Sequence, residues 1–526
     1  MMLSSIIWAE QDNRIAFDDY SFVEALDIKN LININRGKKI GEKENELCEF
    51  FSVCPDTLEL RQELFEELLN DKALFEKLDS SFESLANIYA LQNQKDTAEN
   101  NEKLLYSVRE IEAYVEYLTK MKDIFHSVNV KSKALKVLWE LLKPLCEGDD
   151  FDTLCKAVEK QSHEIKNIKS ITVGVNLDSQ LRPSEAGVLT INEQSFVSGD
   201  YLNKLLRLDF GNDNFYCPAP LLPLNHKLTN EEFYIIRTSI NSAMNKVLSS
   251  SLKSWSGIIK KHIINNLRHL SNILYEWNFV SVCTKVLYEL TEAGFAVCKP
   301  SLSTSDEVTG LYHPVLAMSA LSKNDVVKNA LCFDKQHSIY ILTGPNQGGK
   351  SIYTQSVGIM YAMLHLGLLL PANKAVLRLV DNIFIHFVDI RKRSYVHGRL
   401  SDECNKIQSI NKFITKDSLF LFDEALSSTN AAEAVAISTE IITAYLEIGS
   451  KGIFATHFHE LCDLSEEHEG IDNLIAQIDE GSHKRIFKIV RGNGGKSYAS
   501  DIAQAFGLTK DEIVKNAKAA RTAENA

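Results

Sequence analysis

The chain has 526 residues, 45% of them hydrophobic and 24% charged, with 57 Lys+Arg against 70 Asp+Glu and a formal net charge of -13. That length suits roughly two to four domains with ample core. The composition excludes collagen-like, disordered and disulfide-framework classes, and the acidic balance argues against a uniformly basic nucleic-acid binder. Ten cysteines without a CxxC pair read as thiols of a reducing cytosol, so a cytoplasmic location is expected. Met1 to Glu10 carries no basic n-region and no long apolar h-region, so no secretory signal is expected. The longest apolar stretch, Ile359 to Leu370, is too short to span a bilayer, so no membrane partner is expected.

Residues 1–43 form an N-terminal segment, and 44–300 read as one helical region. No glycine occurs between Gly41 and Gly148, and only Pro55 and Pro144 interrupt that stretch. Such freedom from breakers predicts long helices. Leu58, Leu60, Leu64 and Leu68 fall at helical spacing, as do Tyr114, Val115, Leu118 and Met121. Residues 167–228 differ: Ile171–Val175 and Val188–Ile191 predict short strands in an irregular, β-containing insertion. From about 230 to 280 apolar residues again recur every three or four positions, which predicts a helix about 70 Å long at ~1.5 Å per residue. After Pro300 the texture changes. Short β-rich runs at Ser338–Leu342, Ile383–Val388, Ser418–Phe422 and Gly452–Ala455 alternate with helical patterns, which predicts an α/β domain with a largely parallel sheet over 301–526. The whole is an α + α/β chain.

The sharpest signal closes the first of those runs. Gly344-Pro345-Asn346-Gln347-Gly348-Gly349-Lys350-Ser351 is a G-x-x-x-x-G-K-S phosphate loop, set between a strand and a helix as that motif requires. Its glycines let backbone N–H groups converge on an anion, and the helix N-terminus adds partial positive charge. Lys350 is expected to reach the β- and γ-phosphates of ATP, and Ser351 to ligate Mg²⁺. The similar-looking Gly492–Ser497 lacks the first glycine, because Val490 stands there. The apolar run Leu419–Phe422 ends in Asp423-Glu424. Asp423 is expected at Mg²⁺, and Glu424 is expected to orient and deprotonate the attacking water. His457 closes the run Gly452–Thr456 and is expected to donate to the γ-phosphate at the sheet's carboxyl edge. His459-Glu460 does not extend to a zinc motif, because position 463 is Asp463.

These motifs resemble, in order, those of the MutS family of DNA mismatch-repair ATPases, a branch of the ABC ATPase class. The phosphate loop from Thr343 to Ser351 carries the likeness. His313-Pro314-Val315, Asp423-Glu424, Ala455–Leu461 and Lys496-Ser497-Tyr498-Ala499 extend it. The resemblance implies helical levers followed by an ABC-type ATPase domain with a C-terminal helix-turn-helix at about 499–521. It also implies a homodimer in which each nucleotide lies between one phosphate loop and a signature segment of the other subunit. Gly398, Arg399 and Ser401 occupy the signature position. The loop after Asp423-Glu424 departs from the family's glycine-rich turn, and Asn430 with Glu433 there suggests a capping box. Because helical texture begins by about residue 44, the resemblance implies a short member without the mismatch-reading and connector domains. Phe22-Val23-Glu24 has the letters of that reader's wedge but falls in another context.

Charge is unevenly spread. Residues 1–100 hold 10 Lys+Arg and 21 Asp+Glu, whereas no acid occurs between Glu232 and Glu276. That interval carries Arg237, Lys246, Lys253, Lys260, Lys261 and Arg268, and three of the lysines are spaced by seven. Lys246, Lys253, Lys260, Lys261 and Arg268 are therefore the expected DNA contacts, since phosphate contact asks for little more than positioned cations. Two functions remain open: an ATP-driven, DNA-binding dimeric clamp of repair or recombination, and an ATP-dependent protein scaffold that leaves DNA alone. Replacing Lys246, Lys253 and Lys260 together by Glu is expected to weaken DNA binding and flatten its salt dependence in titrations at several ionic strengths. Unchanged binding would remove this stripe from the DNA surface.

Overall fold

The computed structural model describes residues 5–10, 12, 17–33, 47–97, 100–166, 169–177, 179–181, 183–195, 197–198, 216–217, 265–345, 347–387, 398–478, 485–492, 509–510 and 512–514. The chain divides into two compact units. One comprises Met1–Ile6, Asp71–Lys131 and Leu135–Trp277, the other Ile7–Asn70, Ser132–Ala134 and Asn278–Ala526. This division differs from the boundary near residue 300 drawn on texture, because residues 7–70 bury their aromatic side chains in the sheet-containing unit. Phe22 is wholly buried, with its ring 5.4 Å from Phe17 and 5.2 Å from Phe51. Phe22 and Val23 are thus core residues of helix Ser21–Ala25, with Glu24 at its surface, and Phe22 is no exposed wedge.

Among its described residues the first unit is helical apart from a hairpin and a two-residue strand pair. Its helices are Lys72–Thr97, Asn100–Ser127, most of Lys133–Cys146, and Asp149–Lys166. Leu74, Leu78, Phe82, Leu85 and Ile88 recur at helical spacing and are all buried. Phe82 stacks on Trp277 with centroids 4.5 Å apart, and the Trp277 indole N–H donates to Asp79 at 3.2 Å. The expected strands in 167–228 lie in β1 (Ser170–Leu177) and β2 (Pro183–Asn192), an antiparallel pair in which Val173 faces Val188. A two-residue parallel pair, β3 (Val197–Ser198) and β4 (Tyr216–Cys217), follows. Of the long helix expected at 230–280, Asn265–Glu292 is helical. Lys246, Lys253, Lys260 and Lys261 lie outside the described residues, and of Arg268 only the backbone is described. The expected helix-turn-helix also falls almost wholly outside them.

The second unit holds two sheets. Its strands are β5 (Ser301–Leu302), β6 (Asp306–Leu311), β7 (Asn329–Phe333), β8 (His337–Thr343), β9 (Lys374–Leu377), β10 (Ile383–Phe387), β11 (Leu419–Asp423), β12 (Lys451–Ala455), β13 (Gly470–Ile478) and β14 (Arg485–Arg491). The larger sheet has the order β10-β11-β12-β8-β13-β14, parallel throughout except for β14. Leu419 to Phe422 and Ile453 to Ala455 show no exposed surface, as strands covered on both faces should. Helix Lys350–His365 covers one face with residues as apolar as Val357, Ile359, Met360 and Leu364. Helix Ala431–Ile448 packs Ala434, Ile442 and Tyr445 into a cluster with Phe420, Phe422 and Phe454. The smaller sheet has the order β5-β9-β6-β7. No helix among the described residues is long and apolar enough to cross a membrane.

Two buried cations tie this unit together. Arg61, wholly buried in helix Pro55–Asn70, donates Nε–H to the Ile7 carbonyl at 2.9 Å. Its Nη1 donates to the carbonyls of Phe50 and, at 3.2 Å, of Leu366, and its plane lies 4.2 Å from the Trp8 ring. Lys451, at the start of β12, pairs with Asp306 of β6 at 2.6 Å, with both side chains at most 2% exposed. The Lys451 ammonium also donates to Tyr361 at 2.9 Å, and burial pulls its pKa down to about 8 against the pull of Asp306. Removing one partner of a buried pair strands the other charge. Lys451→Met is therefore expected to destabilise the protein by about 3–5 kcal/mol, read as a lowered denaturation midpoint. Adding Asp306→Asn to it should return most of the loss, because no charge is then stranded.

Candidate active site

β8 ends at Thr343, and helix Lys350–His365 begins seven residues on. The turn between them needs unusual backbone. Gly344 has φ 133° and Gly349, the residue capping the helix, has φ 96°, both in the region that favours glycine. A Cβ on Gly344 would also lie 2.9 Å from Cβ of Ala476 on β13. Gln347 takes φ 61° without being glycine, and its side-chain oxygen accepts from Arg485 of β14 at 2.6 Å. The Lys350 ammonium is 5% exposed and donates to the carbonyls of Gly344 at 2.9 Å and Pro345 at 3.3 Å. Burial pulls its pKa down, while Glu424 and Asp423 oppose the shift. Asn346 lies outside the described residues.

The carboxylates arrive on β11, two strands from β8 in the same parallel sheet, so their carboxyl ends share one edge. Asp423 closes β11, and its Oδ1 is buried with no hydrogen-bond partner among the described residues. Ser351 is hydrogen-bonded to this carboxyl group. Burial raises the Asp423 pKa, Glu424 adds to the rise, and Ser351 and Lys350 oppose it. A buried carboxylate oxygen left open beside a hydroxyl suits a hard divalent cation that brings its own water and phosphate ligands, as Mg²⁺ does. No cluster of three or more His, Cys, Asp or Glu that could hold a metal occurs among the described residues. Ser351 and Asp423 are the side chains that would hold such an ion. Glu424 follows with φ 54°, its N–H bonded to the Ala455 carbonyl on β12 at 2.9 Å.

A cavity of about 300 Å³ opens on this edge. Gln347 to Ser351 and Glu424 form its polar end. Leu316, Val326, Tyr353 and Phe487 supply apolar wall, and His313 joins them from the N-cap of helix Pro314–Ser319. Burial lowers the His313 pKa. Sequence reasoning missed Val326 and Phe487, apolar residues with no motif around them, and Tyr353, which lies two residues past the phosphate loop. His457 follows β12 on the same edge and is exposed, its ring 4.1 Å from that of Phe458, but it does not line the cavity. Thr456 fixes this turn by donating its N–H to Leu342 at 3.0 Å and accepting from the Phe458 N–H at 3.1 Å. Gly398, at φ 93°, precedes helix Arg399–Asn411. Gly398, Arg399 and Ser401 do not line the cavity either. The structure thus brings together the loop, Ser351, Asp423 and Glu424, and leaves His457 and the signature residues at its outside.

A largely parallel sheet with a glycine-rich turn before a helix and an acidic strand end on the same edge has the architecture of phosphate-loop domains. The family profile of MutS domain V matches residues 340–524. A protein of Chlorobium phaeobacteroides described as DNA mismatch repair protein MutS is 34% identical over 228 residues, covering 42% of this chain and 26% of that one. Endonuclease MutS2 of Borreliella burgdorferi is 26% identical over 442 residues, 81% of this chain and 54% of that one. A MutS of Finegoldia magna is 23% identical over 487 residues, 87% of this chain and 55% of that one. Residues 340–524 match MutS domain V, and over more of its length the chain is similar to MutS and MutS2 proteins. It spans between about a quarter and about half of the length of these relatives.

The raised Asp423 pKa has a measurable consequence. A carboxyl group whose pKa rises on folding binds protons more tightly in the native state, so its ionised form opposes folding at neutral pH. Asp423→Asn is expected to raise the melting temperature at pH 7 while abolishing any Mg²⁺ dependence of nucleotide binding. Calorimetric melts, together with nucleotide titrations with and without Mg²⁺, check both halves.

Proposed function

We propose that this protein is an Mg²⁺-dependent ATPase that uses ATP binding and hydrolysis to switch a dimeric clamp on DNA, in repair or recombination. The observation that carries the reading is the unpartnered, buried Oδ1 of Asp423 beside Ser351 at the mouth of the phosphate loop. The apolar wall of Leu316, Val326 and Phe487 suits the flat face of a purine, and the loop's backbone N–H groups suit its phosphates. Lys350, released from the carbonyls of Gly344 and Pro345, neutralises charge on the β- and γ-phosphates. Ser351 and Asp423 would hold Mg²⁺, which would supply electrostatic stabilisation of the phosphoryl oxygens. Glu424 orients a water for in-line attack on the γ-phosphorus and accepts its proton as the bond to the β–γ bridging oxygen breaks, leaving ADP and phosphate. His457 donates to the γ-phosphate from the end of β12.

Gly398, Arg399 and Ser401 act across the dimer, on the nucleotide held by the other subunit. Their place outside their own chain's cavity supports this reading. The DNA part rests on the printed descriptions of the relatives as DNA mismatch repair proteins and an endonuclease. It also rests on the acid-free stripe with Lys246, Lys253 and Lys260. Glu424→Gln keeps the shape of the site and removes the proton acceptor. It is expected to bind ATP, to lower turnover by about 10²-fold or more, and to accumulate as an ATP-bound dimer in sedimentation. A variant that stays monomeric at saturating ATP overturns the composite site. A panel of duplex, mismatched, branched and single-stranded DNA, with and without ATP, tests the clamp.

A further inference from the structure

Glu424 stands in a backbone that has to be held. φ is 54° at Glu424 and 61° at Leu426, and neither residue is one that visits the left-handed region readily. Two hydrogen bonds fix the segment. The Glu424 N–H donates to the Ala455 carbonyl at 2.9 Å. The Leu426 N–H donates to Oε2 of Glu403 at 2.7 Å, in a buried contact between residues 23 apart in sequence. Glu403 sits one turn inside helix Arg399–Asn411 and is 8% exposed. Glutamate is rarely that buried without a specific partner. Packing of the helix does not require it, because Ile407 and Ile410 already join the cluster that contains Ala425 and Leu426. The second oxygen of Glu403, Oε1, lies 3.3 Å from Nε of Arg399, whose side chain is 41% exposed at the helix start. One carboxylate is therefore shared between an outward-facing arginine and the backbone that aims Glu424.

We propose that Glu403 is the positioning residue for Glu424, and that Arg399 sets how firmly it holds. The coupling rests on the composite-site reading, in which Arg399 faces the nucleotide of the other subunit. A phosphate that draws Arg399 away leaves the whole charge of Glu403 on the Leu426 N–H. Hydrogen bonds to an ionised acceptor are the strong ones, and this one strengthens as its competitor leaves. The left-handed segment is then held harder, and Glu424 spends more time aimed at the water. ATP bound in one half-site thereby promotes hydrolysis in the other. Glu403 touches no substrate in this scheme and acts only through Leu426 and Glu424.

The experiment is steady-state ATPase kinetics on the full chain with Mg²⁺ and ATP, for wild type, Glu403→Ala and Glu403→Gln, alongside nucleotide titration. Glu403→Ala is expected to lower kcat by about tenfold or more, equivalent to ~1.4 kcal/mol of orientation. Its KM for ATP should stay near wild type, because the phosphate loop and Asp423 are untouched. Glu403→Gln, close to isosteric, should recover most of kcat, since its amide oxygen accepts from Leu426. It should nonetheless lose the cooperativity in ATP, having no charge to divide with Arg399. A kcat of Glu403→Ala equal to wild type overturns the positioning role, and so does equal damage by both variants. Cooperativity that survives in Glu403→Gln overturns the coupling alone. A wild-type chain with no cooperativity and no ATP-dependent dimer overturns the composite-site reading and the coupling with it.

Discussion

The guanidinium of Arg61 is the contact on which the second unit closes. It collects the carbonyls of Ile7, Phe50 and Leu366 and packs between the rings of Trp8 and Phe279. An arginine so buried is tolerable only where hydrogen-bond acceptors replace its water. Here they come from chain segments as far as 305 residues from Arg61 itself. Leu366 is also the C-cap of helix Lys350–His365, so a fixed cation sits at the negative end of the helix whose positive end faces the phosphate loop. The preceding residue completes the anchor. His365 has Nδ1 2.8 Å from the Ser52 carbonyl, and its Nε2 accepts from the Val380 N–H at 3.3 Å, which assigns the ring proton to Nδ1. Burial pushes its pKa down to about 4, so the ring is neutral across the physiological range. One helix is thus pinned at its far end by Arg61 and His365 and left with a reactive near end.

That pinning explains why the chemistry concentrates at one edge. The strands of the large sheet are covered on both faces, and a charge within them would have no water. Polar side chains can escape full burial at the strand ends, where Asp423 and Glu424 stand and where β8 leads into the loop that carries Lys350. The opposite end shows the alternative solution. Lys451 opens β12 in full burial and is accepted because Asp306 neutralises it. Asp423 at the other edge has no such partner for Oδ1. Two acids of one unit thus have opposite fates, one closed by a lysine and one left open.

Much of the site was legible because its residues are neighbours in sequence. A phosphate loop and a strand ending in two acids each fit within a short window, and the strands bearing them begin and end within a residue of their expected positions. β12 was read one residue short, because Lys451 looks like a polar flank until Asp306, 145 residues away, is seen against it. Arg61 was visible as a letter in a leucine-rich helix, but its role depends on partners that no local pattern announces. Phe487 was missed for a related reason: it lies at φ 54° on β14, against Gly349, with no motif around it. The two strands β1 and β2 were read as short separate runs from their β-branched residues, whereas they pair and extend further, through Asn176, Glu185 and Asn192. The boundary near residue 300 follows composition, whereas the compact units follow burial, and aromatic residues early in the chain obey the second.

Strain and burial then point to one division of labour. Non-glycine left-handed residues in the second unit fall at Gln347, Glu424, Leu426 and Phe487, as well as at Asp27. Four of these five stand in or beside the cavity, and strain of this kind persists only where surrounding contacts over-determine it. Three of the four are held by side chains: Arg485 on the Gln347 side chain, Asn329 on the Phe487 carbonyl and the Ile489 N–H, and Glu403 on the N–H of Leu426. The fourth, Glu424, is bonded directly to β12. Arg485 and Glu403 are themselves charged, and Arg399 competes for the second. The rigid part of the device is therefore the sheet with its Arg61-pinned helix. The adjustable part is a small set of backbone turns held by side chains, of which Arg485 is cationic and Glu403 shares its charge with the cationic Arg399.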